Sequence, residues 1–133
     1  MKNLALLLLI SGIIFASACK KDTKSERFKL LTGHVWTSDS LLAEGVDASG
    51  PGQMLEKFKG DAKFNEDGSG YFGKYSGKWR FSSSETTLII MSDSLQLPLS
   101  TNLVELTIAS LKVTTSYLIA TNLIDIRMTF KAK

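Results

Sequence analysis

The segment IDIRMTFK, residues 124–131, decides the fold because its apolar and polar side chains alternate without interruption. A period of two places the apolar residues, which start at Ile124, on one face and the polar residues, which start at Asp125, on the other. One buried face and one solvated face are typical of a strand in an antiparallel sheet. Residues 104–108 and 111–119 alternate in much the same way. The second half of the chain is therefore predicted to form a series of antiparallel strands.

The rest of the chain consists of short strand-like segments separated by turn residues. Asp67-Gly68 predicts a tight hairpin turn, since this pair readily adopts the positive φ angles that such turns require. Ser76-Gly77 predicts a second turn, and residues 54–66 are predicted as one bent strand or two short ones, broken at Gly60-Asp61. Short strands at regular spacing predict an all-β antiparallel meander of about eight strands. Such a meander closes as a small barrel or folds as a sandwich, and we favour the barrel.

The N-terminus has the pattern of a signal peptide followed by a cysteine. Lys2 precedes an uncharged, largely apolar run, and small residues at 16–18 precede Cys19, the only cysteine of the chain. The run is shorter than the about 20 residues that a membrane-spanning helix needs. One interpretation is an ordinary signal peptide in which Cys19 is incidental. The arrangement also resembles a bacterial lipoprotein precursor, which implies that residues 1–18 are removed as a lipoprotein signal peptide and that the Cys19 thiol is acylated.

Three regions follow from this interpretation. Residues 1–18 form the signal peptide, residues 19–27 form a lipidated tether, and residues 28–133 form the folded domain. Ser25 is suited to cap a short helix that ends at Thr32-Gly33, because a serine hydroxyl accepts hydrogen bonds from free amides at a helix start.

Composition excludes several classes of function. The whole chain carries a net charge of +3, and removal of the signal peptide removes one lysine and leaves +2. Such a small excess without a basic patch argues against nucleic acid as a partner. With one cysteine, no intramolecular disulfide can form, so stability must come from packing. The domain is expected to be a monomer.

Three motif-like segments are better explained by turns and packing. Residues 68–74 fit the phosphate-loop spacing GxxxxGK, but Tyr75 follows where a magnesium-binding Ser or Thr is required. Asn65 and Asp67 fit part of a calcium loop whose first and last ligand positions are lysines here. His34 is the only histidine and cannot form a His pair around zinc. The sequence therefore predicts no catalytic residue, no metal site, no cofactor and no enzymatic activity.

Aromatic side chains are concentrated between residues 58 and 81. The favoured interpretation is that they fill the barrel interior, because small barrels pack solid. The alternative is that some line a cavity for an apolar or planar ligand, which hydroxyl and indole groups would orient. Ser38 and Ser40 are predicted to share a strand face with Trp36, which indicates a partly polar interior. The candidate ligand-binding residues are Trp36, Tyr71, Tyr75 and Trp79.

The order of several motifs carries a further resemblance. These motifs are Leu31-Thr32-Gly33 with Trp36, Phe64 to Gly70, Gly77-Lys78-Trp79, Leu88-Ile89-Ile90, Glu105 to Val113, and Ile126 to Phe130. Over residues 28–133 the chain resembles the small lipocalin-like domains of lipoproteins from Bacteroidota-type bacteria. The resemblance implies a meandering β-barrel. It also suggests that Trp36 packs against Arg127 by a cation–π contact, although the glycine-to-tryptophan spacing is one residue longer than in true lipocalins.

The expected function combines the anchor with the barrel. The sequence predicts an envelope lipoprotein, held to the outer membrane through Cys19 and facing the periplasm or the cell surface. The expected partner is a small hydrophobic ligand inside the barrel. The alternative is a protein- or glycan-interaction module that uses two predicted long loops, residues 43–53 and 92–102.

Overall fold

The fold is a closed, eight-stranded antiparallel β-barrel with one short helix, seen in a computed structural model that describes residues 24–95 and 97–133. The predicted signal peptide and Cys19 lie outside the described residues. The helix, α1, spans Glu26–Thr32. The strands are β1 (Val35–Ala43), β2 (Val46–Asp47), β3 (Asp61–Phe64), β4 (Ser69–Phe72), β5 (Tyr75–Phe81), β6 (Thr87–Met91), β7 (Leu99–Leu106), β8 (Ser110–Ile119) and β9 (Asn122–Ala132).

Pairing between the first and last long strands closes the barrel. From β3 onward each strand pairs antiparallel with the next, and β1 pairs with both β3 and β9. The seam runs from Trp36 opposite Ala132 to Ala43 opposite Ile126. The two-residue strand β2 pairs only with the end of β1. The predicted all-β meander of about eight strands is confirmed, and closure is that of a barrel rather than a sandwich.

Helix α1 lies against one end of the barrel, here called the closed end. Its start is capped as predicted, because the Ser25 hydroxyl accepts a hydrogen bond from the Phe28 amide at 3.1 Å. Leu31 on its inner side is fully buried. The Arg27 guanidinium donates to the Glu85 carbonyl at 2.6 Å, which ties the helix to the turn between β5 and β6. The first described residues therefore emerge at the closed end.

The opposite end, here called the open end, carries a 3₁₀ helix at Glu56–Phe58 and the loop between β6 and β7. Phe58 is buried, which fixes this short helix over the barrel mouth. The prediction of a strand in the first part of 54–66 is wrong, because the backbone there turns to lay Leu55 and Phe58 onto the core. The predicted long loop 92–102 is also too long, since β7 begins at Leu99.

A bulge in β1 changes which side chains face the interior. The pairing of β1 with β9 shifts register between Ser38 and Ser40. Trp36 and Leu41 are both buried although they are five positions apart, which an uninterrupted period of two does not allow. The prediction that Ser40 shares a face with Trp36 is therefore wrong. One extra residue reverses the alternation, so Leu41 rather than Ser40 faces the core.

The two predicted hairpin turns have different outcomes. Gly68 has φ +89° and its amide donates to the Asn65 carbonyl at 3.0 Å, so the turn at Asp67-Gly68 is confirmed. The predicted turn at Ser76-Gly77 is wrong, because both residues lie within β5. The chain instead reverses at Gly73, whose φ of +61° falls in the region that glycine adopts without strain.

Candidate functional site

Two of the four predicted ligand-binding residues are core residues near the closed end. Trp36 is fully buried, and its indole N–H donates to the Leu31 carbonyl at 3.0 Å. Trp79 is 5% exposed, and its indole N–H donates to the Asn65 carbonyl at 2.9 Å. Both polar groups are thus used within the fold. Neither tryptophan presents a donor to a cavity, so these two side chains pack the interior.

The two predicted tyrosines lie on different sides of the barrel wall. Tyr71 is 40% exposed on β4. Tyr75, on β5, lines a cavity at the open end and packs against Phe58 with ring centroids 4.7 Å apart. The structure therefore does not bring the four predicted residues together, and Tyr75 alone borders this cavity.

The contact between Trp36 and Arg127 suggested by the resemblance is not made. In the register of β1 with β9, Trp36 is opposite Ala132 and Arg127 is opposite Leu42. Six positions along β1 separate Trp36 from Leu42, about 20 Å for an extended strand. Arg127 is also exposed, whereas Trp36 is fully buried. The expectation is wrong because the arginine occupies the outer face of β9.

The open-end cavity is apolar and small. Its volume is about 140 Å³. The 3₁₀ helix and the two residues before it cover one side, and β5, the β6–β7 loop, β7, β8 and β9 provide the rest. The lining residues are Met54, Leu55, Phe58, Tyr75, Leu95, Leu99, Thr115, Tyr117, Ile126 and Met128. The cavity lies at the barrel mouth, where the 3₁₀ helix and the β6–β7 loop border it.

Tyr75, Tyr117 and Thr115 supply hydroxyl groups to this largely apolar lining. Burial raises the pKa of the Tyr75 hydroxyl, and the nearby Tyr117 raises it further. Tyr75 therefore keeps its proton at physiological pH and can donate a hydrogen bond to a bound molecule. The Lys57 ammonium lies 6.0 Å from the Tyr75 ring centroid, on the side of the barrel mouth.

The β8–β9 hairpin extends beyond the barrel wall and enlarges the apolar mouth. No charged residue occurs from Thr115 to Ile124. Tyr117, Leu118, Ile119 and Leu123 are between 47% and 64% exposed. Tyr117 lines the cavity, so the hairpin joins the enclosed apolar surface to an exposed one.

A second concave feature, here called the outer groove, lies on the outside of the barrel. It has a volume of about 470 Å³ and is lined mainly by polar side chains. Register places Leu42, Arg127, Thr114 and Asn102 side by side across four strands. A second row contains Glu44, Asp125 and Ser116, in which the Asp125 amide donates to Glu44 Oε1 at 2.7 Å and the Ser116 hydroxyl donates to Asp125 Oδ1 at 3.2 Å.

Of the cavity lining, sequence reasoning named Tyr75 alone, and it missed the outer groove. Their residues come from distant parts of the chain, so only the barrel closure brings Met54 to Tyr117 and Asn102 to Arg127. One local signal was available, namely the uncharged run 115–124 next to the alternating Asp125 and Arg127.

For a metal site and for a membrane-spanning helix, the structure gives evidence on the described residues only. His34 packs edge-on against Trp36, with ring centroids 5.4 Å apart. Within residues 24–95 and 97–133, no three His, Cys, Asp or Glu side chains are grouped so as to hold a metal ion. In the same part of the chain, no helix has the length and apolar character to cross a membrane. A comparison with known proteins finds no protein-family model that matches this chain and no matching curated protein.

Proposed function

We propose that this chain is a lipocalin-like envelope lipoprotein that binds a small hydrophobic ligand at the open end of its barrel. The signal-like segment 1–18 and Cys19 support the anchor, and the barrel fold is compatible with a lipocalin-like binding module. The protein is monomeric, has no enzymatic activity and faces the periplasm or the cell surface from the outer membrane.

The apolar cavity carries the ligand proposal. Its volume of about 140 Å³ is below the about 300 Å³ at which pockets for drug-sized ligands begin. An engineered apolar cavity of about 150 Å³ in another protein stays dry and binds benzene. The ligand portion inside the barrel is therefore one ring or the end of an alkyl chain. A longer molecule extends over the exposed apolar side chains of the β8–β9 hairpin.

Ligand-observed NMR with a defined series tests this proposal. The full chain in detergent is mixed with benzene, with indole and with n-alkyl carboxylates of four to ten carbons. Leu99→Trp fills the cavity and is expected to abolish binding, because Leu99 lines it from β7. Ile108→Trp is the matched control, since Ile108 is 72% exposed in the turn at the closed end. Absence of binding to the wild type across the whole series would refute the ligand proposal.

The anchor is tested separately. Cells expressing the wild type or Cys19→Ala are grown with an alkyne-tagged fatty acid, and the purified chains are compared. We expect label on the wild type alone, since Cys19 is the only cysteine. Equal labelling of both chains would overturn the anchor and leave the ligand proposal standing.

A further inference from the structure

We propose that the outer groove binds a neutral oligosaccharide. This site adjoins the apolar cavity at Thr115 and Ile126, which line both features, but its charged side chains line the groove alone. Thr114 and Arg127 line the groove alone, whereas Tyr117 and Met128 line the cavity alone. The inference therefore does not depend on the proposed hydrophobic ligand.

The groove has the dimensions of a site for several linked sugar rings. Its first row crosses β1, β9, β8 and β7, and neighbouring strands lie about 4.8 Å apart, so the row is about 14 Å long. The second row lies two residues further along each strand, about 7 Å away. The volume of the whole groove, about 470 Å³, falls within the range of small-molecule sites. The half-buried Leu42 gives the groove an apolar surface for the C–H faces of a sugar.

The side chains of the groove offer both donors and acceptors. Arg127 and Asn102 make no side-chain hydrogen bond or ion pair to another residue within the described ranges. The second oxygens of Glu44 and Asp125 are likewise not used by any described residue. Vicinal hydroxyls donate to such carboxylate oxygens and accept from a guanidinium or an amide. A hydroxyl-rich ligand satisfies all four groups at once.

Charge selects a neutral ligand over an ionic one. Two carboxylates, of Glu44 and Asp125, and one guanidinium, of Arg127, line the groove. An anion bound to Arg127 would lie near both carboxylates, and a cation would lie near the guanidinium. A neutral oligosaccharide avoids both repulsions.

A peptide fits the groove less well. The most general way for an extended peptide to bind a sheet is to add a strand at a free edge. The first row runs across four strands that are already paired with one another, so its backbone groups are occupied. The predicted loops 43–53 and 92–102 contribute only Glu44, Gly45 and Asn102, and the strands supply the other side chains.

Saturation-transfer NMR with the purified full chain tests the proposal. The panel contains maltotriose, cellotriose, mannotriose and N-acetylchitotriose as neutral probes, and trigalacturonic acid and an acidic peptide as charged ones. We expect at least one neutral probe to bind. Arg127→Ala is expected to weaken it by about tenfold or more, and Asn102→Ala by about threefold or more, as for lost charged and neutral hydrogen bonds.

Arg80→Ala is the matched control, because Arg80 is an exposed arginine on β5 away from the groove. It is expected to leave the affinity unchanged. Thermal unfolding of each variant verifies that the exposed substitutions preserve the fold. The proposal would be overturned if no neutral probe bound or if only the charged probes bound. It would also be overturned if Arg127→Ala and the wild type bound the neutral probe with equal affinity.

Discussion

Replacement of Trp36 by phenylalanine separates a packing role from a ligand-binding role. Trp36 is fully buried and its indole N–H donates to the Leu31 carbonyl at the end of α1. Phenylalanine cannot donate, so a buried carbonyl loses its partner at a cost of about 1–3 kcal/mol. The smaller ring also buries about two carbon atoms fewer, which costs about 1.5 kcal/mol at about 0.8 kcal/mol for each. We therefore expect a total loss of about 3 kcal/mol.

Urea unfolding followed by the fluorescence of the remaining Trp79 measures this loss. For a domain of this size, about 3 kcal/mol corresponds to a fall in Tm of about 12 °C or more. Tyr71→Phe is the control, since Tyr71 is 40% exposed and its substitution is expected to stay within about 0.5 kcal/mol.

The same variant is expected to keep its affinity for small apolar probes. Trp36 does not line the cavity, and a typical stability of about 5–15 kcal/mol leaves the variant folded after the loss. An unchanged midpoint in urea would refute the packing role. If the folded variant bound the probes more weakly than the wild type, Trp36 would instead have a role in ligand binding.

Two further predictions concern backbone proximity and pH. In Gly77→Ala the new Cβ would lie 2.0 Å from the Met91 carbonyl oxygen. This crowding costs about 1–3 kcal/mol or more of folding stability. The cost outweighs the about 0.5–1 kcal/mol by which alanine stabilises a strand relative to glycine. Urea unfolding is expected to show that Gly77→Ala is less stable than the wild type by about 1–2 kcal/mol. The control Ser76→Ala, at an exposed position, is expected to keep the wild-type stability. Equal stability of the two variants would contradict the close approach of Met91 to Gly77. The hydrogen bond from Lys133, and to a lesser extent that from Thr37, lowers the pKa of Asp61 below 3.8 in the folded protein. The contribution of Asp61 to stability is therefore fully present above about pH 3.8, and it is lost as the pH falls through the lower pKa of the folded state. NMR titration of Lys133→Met is expected to show a higher pKa for Asp61 than in the wild type, and an identical pKa would exclude this cause.

Local patterns predicted the elements well where one residue type dictates one conformation. The alternation of 124–131 lies within β9, the Ser25 cap begins α1, and the turn at Asp67-Gly68 has the expected positive φ. These features depend on neighbours in sequence, so sequence alone contains them.

Features that depend on contacts between strands were not predictable in this way. The bulge near Asp39 reverses the alternation in β1, and nothing in its own residues indicates this. The sequence predicts Gly77 as a turn residue because glycine favours turns. In the sheet it is needed because Met91 on the next strand approaches too closely for a Cβ. Glycine is favoured both in turns and where a neighbouring strand approaches closely. Only the strand pairing shows which of the two applies to Gly77.

The same limit applies to the site. The sequence leaves core packing and cavity lining as alternatives for the aromatic residues, and it does not indicate which residue takes which role. Barrel closure buries Trp36 and Trp79, leaves Tyr71 outside and directs Tyr75 to the mouth. The outer groove depends on three inter-strand registers at once, so no single segment reveals it.

The seam between β1 and β9 has a consequence for how the barrel forms. Trp36 and Ala132, which pair across it, are roughly 95 residues apart in the chain. At about 5–20 residues per second, a ribosome needs about 5–20 s to make the second partner after the first. Throughout that time β1 has an unpaired edge, and such non-local pairing also slows folding itself. Newly made chains therefore carry this unpaired edge until β9 is available.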